Sequence, residues 1–131
     1  MSWTNDYIGI PYKIHGRDMD ALDCWGMVCQ VYKRELGHEL PSYADHYHNT
    51  LDGEGFQNAL IKEMPSWQRV GEADVQEFDV AWCRIAGVEC HTGIMLGNGR
   101  MLHAMLGNDS CIVKIDTPAW ERRIQQCYRL S

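Results

Sequence analysis

The spacing of apolar and polar positions changes once along this chain, near residue 65. Before that point it is helical. Trp25, Val28, Cys29, Tyr32 and Leu36 fall at i, i+3, i+4, i+7 and i+11, one face of a helix. Met27 and Val31 widen the face, which predicts a largely buried helix starting near Asp20 or Asp23 and running to about Leu36. Acidic residues at its start and Lys33 and Arg34 near its end suit the helix dipole. Gly37 fits the left-handed position that follows a helix. A second helix is predicted over Phe56 to Met64, with Phe56, Leu60 and Met64 in one stripe and Pro65 as the stop. Upstream, Tyr7-Ile8-Gly9-Ile10-Pro11-Tyr12 reads as an extended or turn segment, because Pro11 biases Ile10 away from helix. A polar turn, His15-Gly16-Arg17-Asp18, follows it. Residues 38–54 read as a polar loop carrying His38, Tyr43, His46, Tyr47 and His48.

After residue 65 the pattern is that of strands. Phe78–Cys83, Cys90–Leu96, Met101–Met105 and Cys111–Ile115 are short, rich in apolar residues and separated by turn residues. Asn98-Gly99 is a strong hairpin signal. Trp120-Glu121-Arg122-Arg123 suggests a short helix, and Ile124–Leu130 a last strand. Helices first and an antiparallel sheet afterwards give an α+β fold.

Composition narrows the class. The 131 residues suit one domain spanning 1–131, and five Trp, six Tyr and seven Met supply ample material for a core. No stretch approaches the roughly 20 apolar residues of a transmembrane helix. The net charge of −6 argues against nucleic-acid binding, which needs a basic surface. The opening Met1-Ser2-Trp3-Thr4-Asn5-Asp6 lacks the features of a signal peptide, so the expectation is synthesis in the cytoplasm with reduced thiols. Six cysteines, without a Cys-x-x-Cys pair, then read mainly as small buried hydrophobes. Cys83, Cys90 and His91 with a distant histidine match no common zinc spacing, and neither metal nor cofactor is expected.

Cys24 is the exception among the cysteines. It lies at the start of the main helix, where unpaired N–H groups and the dipole favour a thiolate. Asp23 opposes that effect, so an imidazole must assist. His91 and His103 flank the hairpin. With a two-residue turn, partners sum to 197 and the two histidines point to opposite faces. With a three-residue loop they sum to 196, His103 opposes Gly93 and both share a face. Spacing permits a Cys–His–His relay without forcing one. The alternative is a buried thiol and two satisfied histidines. His46 and His48 read as solvated, and His15 is a candidate for a cleft wall.

Five landmarks in order resemble the NlpC-type cell-wall cysteine peptidases, a papain-like family. They are Ile8-Gly9-Ile10-Pro11-Tyr12, Asp23-Cys24-Trp25-Gly26-Met27-Val28, Leu40-Pro41, Phe78-Asp79-Val80-Ala81-Trp82, and the run from His91 to Ala104. The resemblance implies a Cys-bearing helix packed on a sheet that carries the histidines. It implies Cys24 as nucleophile, His91 as general base, His103 as the group orienting it, and Tyr12 and Asp23 beside the substrate. Peptidoglycan stem peptides are the implied substrate, cut between D-glutamate and the diamino acid. Asp23 then has two readings, a helix cap or a partner for a substrate amine. His15-Gly16-Arg17, Trp25 and Gln76-Glu77-Phe78 depart from the usual family pattern. The first two, with Leu40-Pro41-Ser42-Tyr43, are similar to the phage-tail and prophage branch, which implies tail proteins as partners and action at the host wall. The expected chemistry is acyl transfer through a Cys24–His91 thiolate–imidazolium pair, with the Cys24 N–H in the oxyanion hole. Rival readings are a tail-tip structural module, or a cytosolic thiol hydrolase acting on another small amide.

Overall fold

A computed structural model of the chain describes residues 2–48 and 53–130, apart from the side chains of Ile61, Lys62 and Met64. The predicted loop over 38–54 therefore lies partly outside the described residues, as does the Met64 member of the predicted helical stripe. The first long element is helix α1, Cys24–Leu36. Asp23 is its N-cap, and its carboxylate accepts the Gly26 N–H at 2.8 Å. Gly37 closes the other end at φ 64°, donating its N–H to the Tyr32 carbonyl, a conformation that glycine adopts without a Cβ clash. Helix α2 spans Gly53–Glu63, starting three residues earlier than Phe56, and Pro65 falls in the short 3₁₀ turn Met64–Ser66 that ends it.

Ahead of α1, strands β1 (Arg17–Asp18) and β2 (Ala21–Leu22) form a small antiparallel hairpin. Tyr12 bridges to Leu22, and Leu22 donates its N–H to the Pro11 carbonyl at 3.0 Å. The Pro11-Tyr12 segment is thereby anchored beside the start of α1. The main sheet comprises β3 (Trp67–Val70), β4 (Val80–Ile85), β5 (Val88–Gly97), β6 (Arg100–His103), β7 (Cys111–Lys114) and β8 (Ile124–Leu130). Its order is β3-β8-β4-β5-β6-β7, antiparallel throughout. Helix α3, Pro118–Arg123, begins two residues before the predicted Trp120. Strand β3 was not expected from the sequence.

Alternation along the strands gives the sheet two apolar faces. Val80, Ile94 and Leu102 meet Trp25, Met27, Val28 and Val31 of α1. Ala81, Cys83, Met95 and Met101 meet Trp120 of α3 on the other face. Among the described residues no helix is long and apolar enough to cross a membrane.

Candidate active site

The β5–β6 hairpin decides where the histidines point. It closes on Asn98 and Gly99, both at positive φ, with Gly97 opposite Arg100 as in a two-residue turn. A bulge between Met95 and Gly97 then shifts the register, so that Met95 opposes Met101 and Ile94 opposes Leu102. His103 therefore comes to the face of His91, and His91 Nε2 and His103 Nδ1 share a hydrogen bond at 3.0 Å. The Trp120 ring lies against both, 5.0 Å from His103 and 6.2 Å from His91 by centroids. Arg123 stacks over that Trp120 ring at 4.8 Å. Burial, then His103 and Arg123, push the pKa of His91 down to about 3. Burial and Arg123 push that of His103 down to about 4. Both shifts favour the neutral rings.

Cys24 approaches β5 from the α1 side. A second bulge makes this contact. Cys83 opposes His91 and Arg84 opposes Glu89, so Cys90 is the extra residue. The Cys24 thiol donates to the Cys90 carbonyl at 3.8 Å. Thr92 also faces the sulfur and favours its ionised form, but burial and Asp23 outweigh it and push the thiol up to about 12. Burial thus works against the expected thiolate–imidazolium pair in this arrangement. Cys24, His91 and His103 are each only 4% exposed, and such surroundings disfavour charge and favour the neutral thiol and imidazoles. The structure joins His91 to His103, and joins Cys24 to the two residues that flank His91. It does not join thiol to imidazole by a hydrogen bond.

Asp23 is 1% exposed and receives four donors. Gly26 N–H and Arg17 Nη1 (2.6 Å) meet Oδ1, while His15 N–H (2.9 Å) and the Tyr47 hydroxyl meet Oδ2. Four donors fill the accepting positions of a carboxylate. Asp23 and Tyr47 keep Arg17 charged against the cost of its burial. His15 also contacts the Tyr47 carbonyl through Nε2 at 2.6 Å, and so belongs to this network. His46 packs edge-on against Tyr43.

Two of the three departures from the family pattern, His15-Gly16-Arg17 and Trp25, meet around the helix start. Trp25 Nε1 donates to the Pro41 carbonyl at 2.9 Å, and Arg17 donates to the Ser42 carbonyl at 2.8 Å and to its hydroxyl at 3.1 Å. The sequence assigned no role in this site to Arg17, Tyr47, Cys90, Trp120, Arg123 or Cys111. Each acts through a tertiary contact that no local spacing announces. Among the described residues no group of three or more His, Cys, Asp and Glu side chains gathers to hold a metal. A surface hollow of about 550 Å³ between α3, β8 and the hairpin turn includes none of Cys24, His91 and His103 in its lining.

The chain is similar to several known proteins. The murein DD-endopeptidase MepS/murein LD-carboxypeptidase of Escherichia coli K12 is 22% identical over 125 residues, covering 95% of this chain and 58% of that protein. The gamma-DL-glutamyl hydrolase of Bacillus subtilis 168 is 27% identical over 119 residues, covering 90% of this chain and 25% of that one. The chain thus spans little more than half of the first relative and a quarter of the second. The crystal structure of the NlpC/p60 domain of the peptidoglycan hydrolase SagA superposes with a TM-score of 0.65 at 20% identity, over 95% of this chain and 90% of that one. The NlpC/P60 family pattern matches residues 9–129. A Cys-bearing helix packed on an antiparallel sheet, with a matching family pattern over nearly all of its length, places this chain in the NlpC/P60 family.

Proposed function

We propose that this chain is a cysteine peptidase that hydrolyses an amide bond in peptidoglycan stem peptides, with Cys24 as nucleophile, His91 as general base and His103 orienting His91. The observation that carries the reading is the 3.0 Å His91–His103 bond on a strand whose neighbouring residues, Cys90 and Thr92, hold the Cys24 thiol. His91 meets Trp120 on one face of β5 while Cys24 meets the other, so in this reading reaction requires β5 to rearrange at its Cys90 bulge and bring Sγ to the imidazole. The thiol proton passes to His91 as sulfur bonds to the amide carbon, and His91 returns it to the departing amine. Water then hydrolyses the thioester with His91 again as base. The Cys24 N–H, at the start of α1, holds the oxyanion in this reading.

The bond we assign is that between the γ-carboxyl of D-glutamate and the diamino acid. The name of the Bacillus subtilis relative supports it, whereas that of the Escherichia coli relative points to other stem bonds. Tyr12 and Asp23 border the N-terminal side of the stem in this reading. Asp23 reaches a stem amine only by exchanging Arg17 or Tyr47 for it. We further assign the chain to a phage or prophage tail that breaches the wall, which rests on the Arg17, Trp25 and Pro41-Ser42-Tyr43 cluster. Tail particles that lack the protein would contradict that assignment. A second reading, a tail-tip or wall-binding module without hydrolysis, draws on the raised pKa of the buried thiol. A purified tetrapeptide stem separates these readings by mass. Two dipeptides report the γ-glutamyl bond, release of the last D-alanine reports a carboxypeptidase, and binding without products reports the module.

A further inference from the structure

The histidine pair does not end at His103. On the next strand Cys111 is the register partner of His103, and its Sγ lies 3.7 Å from His103 Nε2. Three side chains from three adjacent strands therefore form one line: His91, His103, Cys111. We propose that Cys111 is a positioning residue of this site, whose sulfur accepts the Nε2–H of His103 whenever His91 carries the proton taken from Cys24. The inference rests on the hydrolytic reading given above.

Proton bookkeeping fixes the direction. A protonated His91 has hydrogens on both ring nitrogens, so its Nε2–H must donate across the 3.0 Å bond. His103 Nδ1 must then be the bare acceptor. A neutral imidazole keeps its single hydrogen on the other nitrogen, Nε2, which faces Cys111. Sulfur is a weak acceptor, but the alternative is an unpaired N–H in buried surroundings, since His103 is 4% exposed and Trp120 covers it. In the neutral pair the same sulfur can donate instead, placing hydrogens on His103 Nδ1 and His91 Nδ1. Cys111 thus contributes most where positive charge develops. That charge is otherwise opposed by burial and by Arg123, and Cys83 behind His91 is an uncharged thiol.

The test uses the full chain with Cys111→Val, which keeps bulk without an acceptor, and Cys111→Ser, which restores one. With the tetrapeptide stem, Cys111→Val should lower kcat about tenfold at unchanged KM. It should also move the acidic limb of the kcat profile to lower pH, because the protonated pair loses an acceptor. Cys111→Ser should recover most of both effects. Nuclear magnetic resonance titration of the imidazole nitrogens reads the same coupling without turnover. The His91 and His103 titrations should move to lower pH in Cys111→Val and return in Cys111→Ser. Unchanged titrations in a folded Cys111→Val protein overturn the proposal, as does equal loss in both variants. Absence of turnover in the parent protein would instead overturn the hydrolytic reading, and the titration would still decide whether Cys111 serves the histidines.

Discussion

At Cys24 two influences compete. The start of α1 favours a thiolate, while burial and the adjacent Asp23 oppose it, and the second pair wins, holding the thiol at about 12. Iodoacetamide at pH 7.5 should therefore alkylate the partly exposed Cys111 before Cys24, with Cys24 labelling accelerating only at alkaline pH. Peptide mapping that finds Cys24 first would show a preformed thiolate. Asp23 allows a sharper test, because Asn caps a helix as well as Asp does. A residue that only capped would tolerate Asp23→Asn at almost no cost. Here the substitution strands Arg17, whose side chain is 19% exposed, and misplaces a donor against His15 N–H or the Tyr47 hydroxyl. Loss of one partner from a largely buried pair predicts about 3 kcal/mol in urea unfolding. No change would return Asp23 to the role of a simple cap. The cap itself was legible from an Asp before a helical run. Arg17 and Tyr47 were not, since they meet Asp23 only once the β1–β2 hairpin and the loop after α1 fold over it.

Element boundaries followed the apolar period where that period was strong. Helix α1 stops where Gly37 must, and β8 matches its predicted span. Strand β3 escaped notice because Trp67–Val70 is only four residues long and alternates poorly, with buried residues at its two ends. The histidine face was left open by sequence because it depends on one bulge residue in β5, which turn chemistry alone does not specify. Packing at the helix start makes a further demand that spacing could not reveal. A Cβ on Gly26 would stand 2.0 Å from the Gly16 carbonyl oxygen, a backbone atom of the polar turn. Gly26→Ala should then push the β1–β2 hairpin off α1, destabilising the protein by about 1–3 kcal/mol and lowering turnover. Gly71→Ala, whose Cβ would come only to 3.4 Å of an Asp74 oxygen, is the control and should change neither. Equal melting temperatures for the two variants would contradict the close approach.

For the whole molecule, the buried histidine pair makes stability depend on pH. His91 and His103 have folded pKa values near 3 and 4, below the ordinary value of 6.5. Between those limits the unfolded chain binds more protons than the folded one, so stability is complete above about pH 6.5 and falls as pH drops toward 4. Each histidine contributes on the order of 1.4 kcal/mol per pH unit over that window. Urea midpoints should fall between pH 7 and 5, and His103→Gln should flatten the decline; an equally steep decline in His103→Gln would place its cause elsewhere. At this scale the fold class was readable from the order of helices and strands, and the family from five landmarks. The burial that disfavours charge on the thiol and the histidines was not, because it arises where helices cover the two faces of the sheet. Everything proposed for this site depends on Cys24 cleaving a stem peptide. Mass spectrometry of a tetrapeptide stem, incubated with the reduced parent protein and with Cys24→Ser, tests it most directly. The parent should yield two dipeptides, and Cys24→Ser should leave the peptide intact. Intact peptide from a folded parent, or equal cleavage by both proteins, would contradict it.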